Sequence, residues 1–126
     1  MTIADWCLLG AALLPLFTIG PIKWLRRGRF DNAKPRDPGF YADALGTRVL
    51  GAHQNGMEVF PFFAAAVLLA EFRHAPQGTI NALALAFVLL RVAYVLAYVG
   101  DRPTLRSLFW ALGFIANIAI FVLPAL

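Results

Sequence analysis

Cysteine, histidine and charge are all scarce in this chain of 126 residues, and each shortage removes a class of protein. A single cysteine, Cys7, excludes an intrachain disulfide framework. It sits in an apolar run and reads as a small buried side chain. His53 and His74 stand apart from each other and from Cys7, so no metal-ligand spacing is present and no metal is expected. There is no glycine-rich phosphate loop and no nucleophile elbow. Charged residues make up 14% of the chain, against about 25% in an ordinary globular domain. The few charges lean basic, with 11 Lys and Arg against 7 Asp and Glu, a net charge of +4.

Apolar residues fill the space that charge leaves. They form 60% of the chain, and the mean hydropathy is +0.70. A soluble domain this small has too little interior to hide that much apolar surface. The pattern predicts an all-α fold, an integral membrane four-helix bundle forming a single four-span domain over residues 1–126. The spans are expected at about 3–22, 42–72, 79–99 and 105–126. The first carries one charge, Asp5, and has the length needed to cross ~30 Å of hydrocarbon. No basic stretch precedes it and no small-residue cleavage site follows, so it reads as a span rather than a signal peptide. Pro15 within it, and Pro61 within the second span, are tolerable in a membrane helix. Gly100 is the expected end of the third span.

The loops set the orientation. Lys23 to Asp43 holds Lys23, Arg26, Arg27, Arg29, Lys34 and Arg36, with Trp24 where an interfacial anchor belongs. The third loop carries Arg102 and Arg106, and the intervening turn only Arg73. The excess of cations predicts loops 1 and 3 on the cytoplasmic side and both termini outside. The basic loop lies against a membrane, so its expected partners are membrane lipids and not nucleic acid. It serves either as a topology signal alone or as an anion-attracting vestibule.

The most informative stretch is RVLGAHQNGMEVFPFF, Arg48 to Phe63. On an ideal helix Arg48, Gly51, Asn55, Glu58 and Phe62 share one face, and His53 points the other way. Ionisable residues within a span are costly and usually face a bundle interior, a neighbour or a wet cavity, where they pair. Gly46, Gly51 and Gly56 offer close approach, which the reading assigns to the centre of an oligomer or a neighbouring subunit. Arg91, the one charge in the third span, lies about 14 Å below its end, at a depth similar to Glu58. The expectation is a Glu58–Arg91 ion pair, serving packing register or a site. Tyr94 and Tyr98 follow Arg91 on one face. Arg106, Trp110, Gly113 and Asn117 share a face of the fourth span.

These residues resemble a known family. The pattern R-x-x-x-A-x-x-N-x-x-E-x-x-P-x-F, here Arg48, Ala52, Asn55, Glu58, Pro61 and Phe63, is similar to that of the membrane-associated proteins in eicosanoid and glutathione metabolism, the MAPEG family, and to its bacterial branch. Arg91, Tyr94, Tyr98 and Gly100, followed by Arg106 and Ser107, resemble the same family. The resemblance implies a homotrimer in a bacterial inner membrane. It implies glutathione as co-substrate, held between subunits near the cytoplasmic helix ends, and a lipophilic second substrate entering from the bilayer. Carried over by residue, Arg48, Asn55, Glu58, Arg91, Tyr94 and Tyr98 would bind glutathione. Arg106 and Ser107 would serve catalysis beside the sulfur. Lys23, Arg26 or Arg27 would add a cation. The chain departs from several catalytic relatives at Gly51, where they carry an arginine, and at Trp110, where some carry a tyrosine.

The activity so implied is glutathione-dependent transfer or peroxide reduction on lipophilic electrophiles. The alternative is a non-catalytic structural or ligand-binding membrane protein of the same fold. A permeation path is the third reading, disfavoured by the absence of charge from Leu108 to Leu126 in the fourth span and by the apolar outer half of the second.

Overall fold

The structure, a computed structural model, describes residues 1–126. Four helices carry the chain: α1 (Ile3–Leu25), α2 (Ala44–Phe72), α3 (Gln77–Val99) and α4 (Pro103–Val122). All four are long and apolar enough to cross a membrane. Only 26 of the 126 residues are buried, and large apolar side chains such as Phe17, Leu89, Leu96 and Ile115 are exposed. Water would not tolerate such a surface, but lipid tails or a neighbouring chain cover it without cost. The protein is an all-α, multi-pass integral membrane protein.

Helix ends explain where the observed spans differ from the expected ones. α1 runs to Leu25 rather than Ile22, with Pro15 and Pro21 both inside it. Lys23 therefore belongs to the last turn of α1, where a cation complements the helix dipole. α4 starts at Pro103, two residues earlier than expected, because proline lacks only an N–H that the first turn leaves unbonded anyway. α3 ends with Gly100 as its C-cap, as expected, though not through a left-handed glycine. Gly100 has φ −77°, and the left-handed residue is Asp101 at φ 56°. The Arg102 N–H donates to Ala97 O (2.8 Å) and the Asp101 N–H to Tyr98 O (3.2 Å), which is a Schellman closure. His74, at φ 57°, closes α2 in the same way, with the Ala75 N–H donating to Ala70 O at 3.0 Å.

α2 and α3 form the centre of the bundle, and α1 and α4 pack against this pair from different sides. α3 and α4 make the most extensive contact. The core is built from small side chains, Ala4, Ala11, Ala66, Ala70, Ala84 and Ala116, around Phe63, Val67, Ile80, Phe87 and Ile120. In lipid the gain comes from packing rather than water release, so small residues that bring backbones together carry it. Phe63 stacks on Phe87 with ring centroids 4.0 Å apart.

The glycines of α2 make close approaches inside the subunit. A Cβ on Gly56 would lie 2.8 Å from Pro15 Cγ of α1, and one on Gly46 would lie 2.8 Å from the Tyr41 backbone. Gly51 faces Tyr98. The close approach expected of these glycines is thus made within their own chain.

Both ends of the bundle are tied by polar groups. Thr2 and Asp5 form a capping box, and Thr2 Oγ1 donates to Glu71 Oε1 (3.0 Å). At the other end Arg26 holds Asp43 through two hydrogen bonds, of 2.6 and 2.7 Å, joining the end of α1 to the start of α2. The Arg26 guanidinium pulls the Asp43 carboxyl down to about 2.

Candidate functional site

The polar stripe of α2 meets α3 and α4 of the same chain. Because α2 and α3 are antiparallel, the two helices pair in opposite order. Arg48 meets the end of α3, donating from Nε to Val99 O at 3.2 Å, with Nη1 3.8 Å from Asp101 Oδ2. Gly51 faces Tyr98, and Asn55 meets Arg91. Two turns further, Phe62 packs on Phe114 and Phe121 of α4. His53, on the opposite face as expected, bonds through Nδ1 to Pro15 O of α1 at 2.9 Å. A carbonyl oxygen only accepts, so Nδ1 carries the proton.

The expected Glu58–Arg91 ion pair is absent within the subunit. Arg91, 3% exposed, donates from Nη2 to Asn55 Oδ1 at 2.8 Å and lies 4.1 Å from the Tyr94 ring centroid. The Asn55 Nδ2 reaches Glu58 Oε2 only at 3.5 Å, beyond the usual range for such a bond. Asn55, one turn before Glu58, takes the acceptor role that the sequence reading gave to the carboxylate. Glu58 is left exposed, with no ion-pair partner in its own chain.

Asn55, Tyr94, Tyr98, Arg106, Ser107 and Trp110 border one cleft of about 280 Å³. It lies at the end of the bundle that carries loops 1 and 3. Arg106, in the second turn of α4, places its guanidinium 4.6 Å from the Tyr98 ring centroid. Tyr94 and Tyr98 meet edge to face, 5.7 Å between centroids. No carboxylate borders the cleft, and a guanidinium does. Its chemistry suits an anion that also offers hydrogen-bonding groups.

Of the residues singled out in the sequence, Asn55, Tyr94, Tyr98, Arg106 and Ser107 therefore come together. Arg91 touches this group through Asn55 and the Tyr94 ring. Glu58 and Arg91 border a second, more enclosed cavity of about 130 Å³ between α2, α3 and α4. Arg48 borders neither, because it is spent on the end of α3. None of the three candidate cations at the end of α1 borders the cleft. Arg26 is held by Asp43, Arg27 lies 5.1 Å from the Trp24 ring, and Lys23 lies 5.2 Å from the Phe30 ring. Trp110 borders both cavities, a place the sequence reading did not give it. Asn117, 1% exposed, also lines the second cavity; its signal was a lone amide in an uncharged helix.

The family model of the MAPEG family matches residues 3–126. The chain belongs to the MAPEG family. The match spans all four helices, so the motifs on α2 and α3 are read within the fold they resemble rather than as isolated strings. No curated protein matches this MAPEG chain. Within the family frame, Gly51 and Trp110 acquire a structural account. A Cβ at position 51 would lie 2.9 Å from Tyr98 Cζ and closer still to its hydroxyl oxygen, so Tyr98 occupies the space that a larger residue at 51 would need. Trp110 stacks on Phe114, with centroids 5.3 Å apart, and closes the wall between the two cavities.

Proposed function

We propose that this protein is a glutathione-dependent transferase or peroxidase acting on lipophilic electrophiles. The observation that carries the reading is the convergence of Asn55, Tyr94, Tyr98, Arg106 and Ser107 on one cleft at a helix end. In this reading Arg106 faces the sulfur and Ser107 offers a hydroxyl donor. Asn55 meets the peptide, held in place by its bond from Arg91. Tyr94 and Tyr98 form the aromatic wall.

A free thiol has a pKa near ~8.5 and is mostly protonated at neutral pH. A guanidinium beside it favours the nucleophilic thiolate. The thiolate carbon–sulfur bond forms as the electrophile's leaving group departs with its electron pair. With a hydroperoxide, the thiolate instead attacks the distal oxygen and breaks the O–O bond, the alkoxide leaving as the alcohol once protonated, and a second thiol then displaces water from the sulfenic acid to give the disulfide. The lipophilic co-substrate enters from the bilayer, which accounts for building the site within a membrane.

The assembly in this reading is a homotrimer. Exposed Glu58, unpaired in its own chain, calls for a cation from outside the subunit, and a neighbour's α1 end carries such groups. The membrane is a bacterial inner membrane, with loops 1 and 3 cytoplasmic and both termini outside.

The test is thiol consumption by purified protein with glutathione and a generic aryl halide, beside Arg106→Ala. Turnover in the wild type that falls at least tenfold in the variant supports the reading. Bound glutathione without turnover moves the weight to a non-catalytic ligand-binding protein of the same fold.

A further inference from the structure

The second cavity, between α2, α3 and α4, has a chemistry of its own. Phe62, Phe87, Trp110 and Phe114 surround it, and Glu58, Arg91 and Asn117 border it, Glu58 being exposed and Asn117 deeply buried. Its volume is about 130 Å³, close to the ~150 Å³ of an apolar protein cavity that accommodates benzene. Unlike such a cavity it carries a deeply buried acceptor. Asn117 is 1% exposed, and its Oδ1 has no hydrogen-bond partner. A buried amide oxygen left unbonded is costly, so a donor from a ligand has a place to go. Arg91 supplies N–H donors beside it.

We infer that this cavity binds a neutral one-ring aromatic molecule bearing a hydroxyl group, a ligand of the phenol class. The aromatic side chains take the ring. The hydroxyl donates to Asn117 Oδ1 and accepts from the Arg91 guanidinium. A ring without a donor fills the same volume but leaves Asn117 unbonded. The inference does not rest on glutathione chemistry, because the cavity is defined by α2, α3 and α4 of one chain.

Gly113 gives a way to close the cavity. A Cβ there meets its nearest neighbours at 3.9–4.0 Å, ordinary contact, so Gly113→Ala is accommodated and Gly113→Val projects methyl groups into the space. Trp110 gives the readout. With Trp6→Phe and Trp24→Phe, it is the last of the three tryptophans and lies in the cavity wall.

The experiment is quenching of Trp110 fluorescence by para-bromophenol and by para-bromoanisole, in mild detergent without glutathione. The expected result is saturable quenching by the phenol and about tenfold weaker binding of the methyl ether. Asn117→Leu should bring the two ligands within about twofold of each other. Gly113→Val should abolish saturation while thermal unfolding stays cooperative, and Gly113→Ala should weaken binding. If Asn117→Leu does not fold, the ligand pair on the unaltered cavity and the Gly113 variants still decide. Quenching that rises linearly, is equal for both ligands, or is untouched by Gly113→Val overturns the inference.

Discussion

Arg91 donates to Asn55, not to Glu58, with Nη2 2.8 Å from Asn55 Oδ1. A neutral amide thus stands where a carboxylate was expected, and no carboxylate of its own chain pairs with the buried guanidinium. The consequence is an order of stabilities. Asn55→Ala removes the acceptor of a buried charged donor and should cost about 2 kcal/mol. Glu58→Ala removes a group without an ion pair in its own chain, so within a subunit it should cost under about 1 kcal/mol, and any further loss should appear as weakened assembly of the copies. Thermal unfolding of both variants in mild detergent checks this. A larger loss for Glu58→Ala than for Asn55→Ala overturns it.

Gly51 and Tyr98 should behave as a coupled pair. Gly51→Ala sets a methyl group against the Tyr98 ring and hydroxyl, with a cost of about 1–3 kcal/mol from overpacking. Tyr98→Phe removes the nearest atom and should recover part of that loss in the double variant. A double-mutant cycle on unfolding reads the coupling. Additive losses would mean that Tyr98 leaves its place freely.

The contrast between these sites shows how far the sequence could be read. Four spans follow from hydropathy, and Arg91, Tyr94 and Tyr98 on one face follow from helical period. The facing of the α2 stripe was legible; which partner each member takes was not. Depth arithmetic placed Glu58 and Arg91 at one level, but a side chain as long as arginine reaches a full turn either way. Asn55 won because its amide accepts from Arg91 without a second charge to desolvate. Arg48 was placed with the site because it shares the stripe. Its partner, the Val99 carbonyl, is a backbone group exposed only when α3 ends, which no side-chain pattern announces. Likewise, the glycines signalled close approach correctly but could not say to which helix.

The link between α1 and α2 should be sensitive to acid. Arg26 pulls the Asp43 carboxyl down to about 2, mainly by hydrogen bonding, against ~3.9 for a free aspartate. The folded-state value is the lower one, so the stabilisation is fully present above about pH 4 and is lost as pH falls through about 2. Both side chains are partly solvent-exposed, so the effect is modest and screened by salt. Asp43→Asn should lower the unfolding temperature at pH 6 and converge with the wild type toward pH 2. A difference that persists unchanged at the acid end would detach Arg26 from the effect.

Assembly gives a simple measurement. The exposed carboxylate of Glu58 and the exposed apolar flanks of the spans both favour burial against further copies. Mass measurement in mild detergent should return three chains per particle. A stable monomer that retains its unfolding transition would leave Glu58 to a water-filled cleft.

The last prediction concerns Arg106. Its guanidinium lies over the Tyr98 ring, at the edge of a cleft with no bordering carboxylate, so nothing in the cleft neutralises it. A bound thiolate would. The opposite charge within about 4–6 Å favours the ionised sulfur and should lower the thiol pKa by at least about one unit. Arg106→Ala should therefore raise the apparent pKa of bound glutathione by that amount. The bound thiol must ionise before it attacks, and Arg106 favours that ionised form, so turnover should fall more than affinity for the neutral thiol does. Arg106→Lys should recover part of the pKa shift, since a point charge remains, but less of the turnover, because the planar fork is lost. Thiolate absorbance titrated against pH reads the first effect, and single-turnover kinetics reads the second. Superimposable titration curves for wild type and Arg106→Ala, with glutathione bound in both, would leave Arg106 as a topology charge alone.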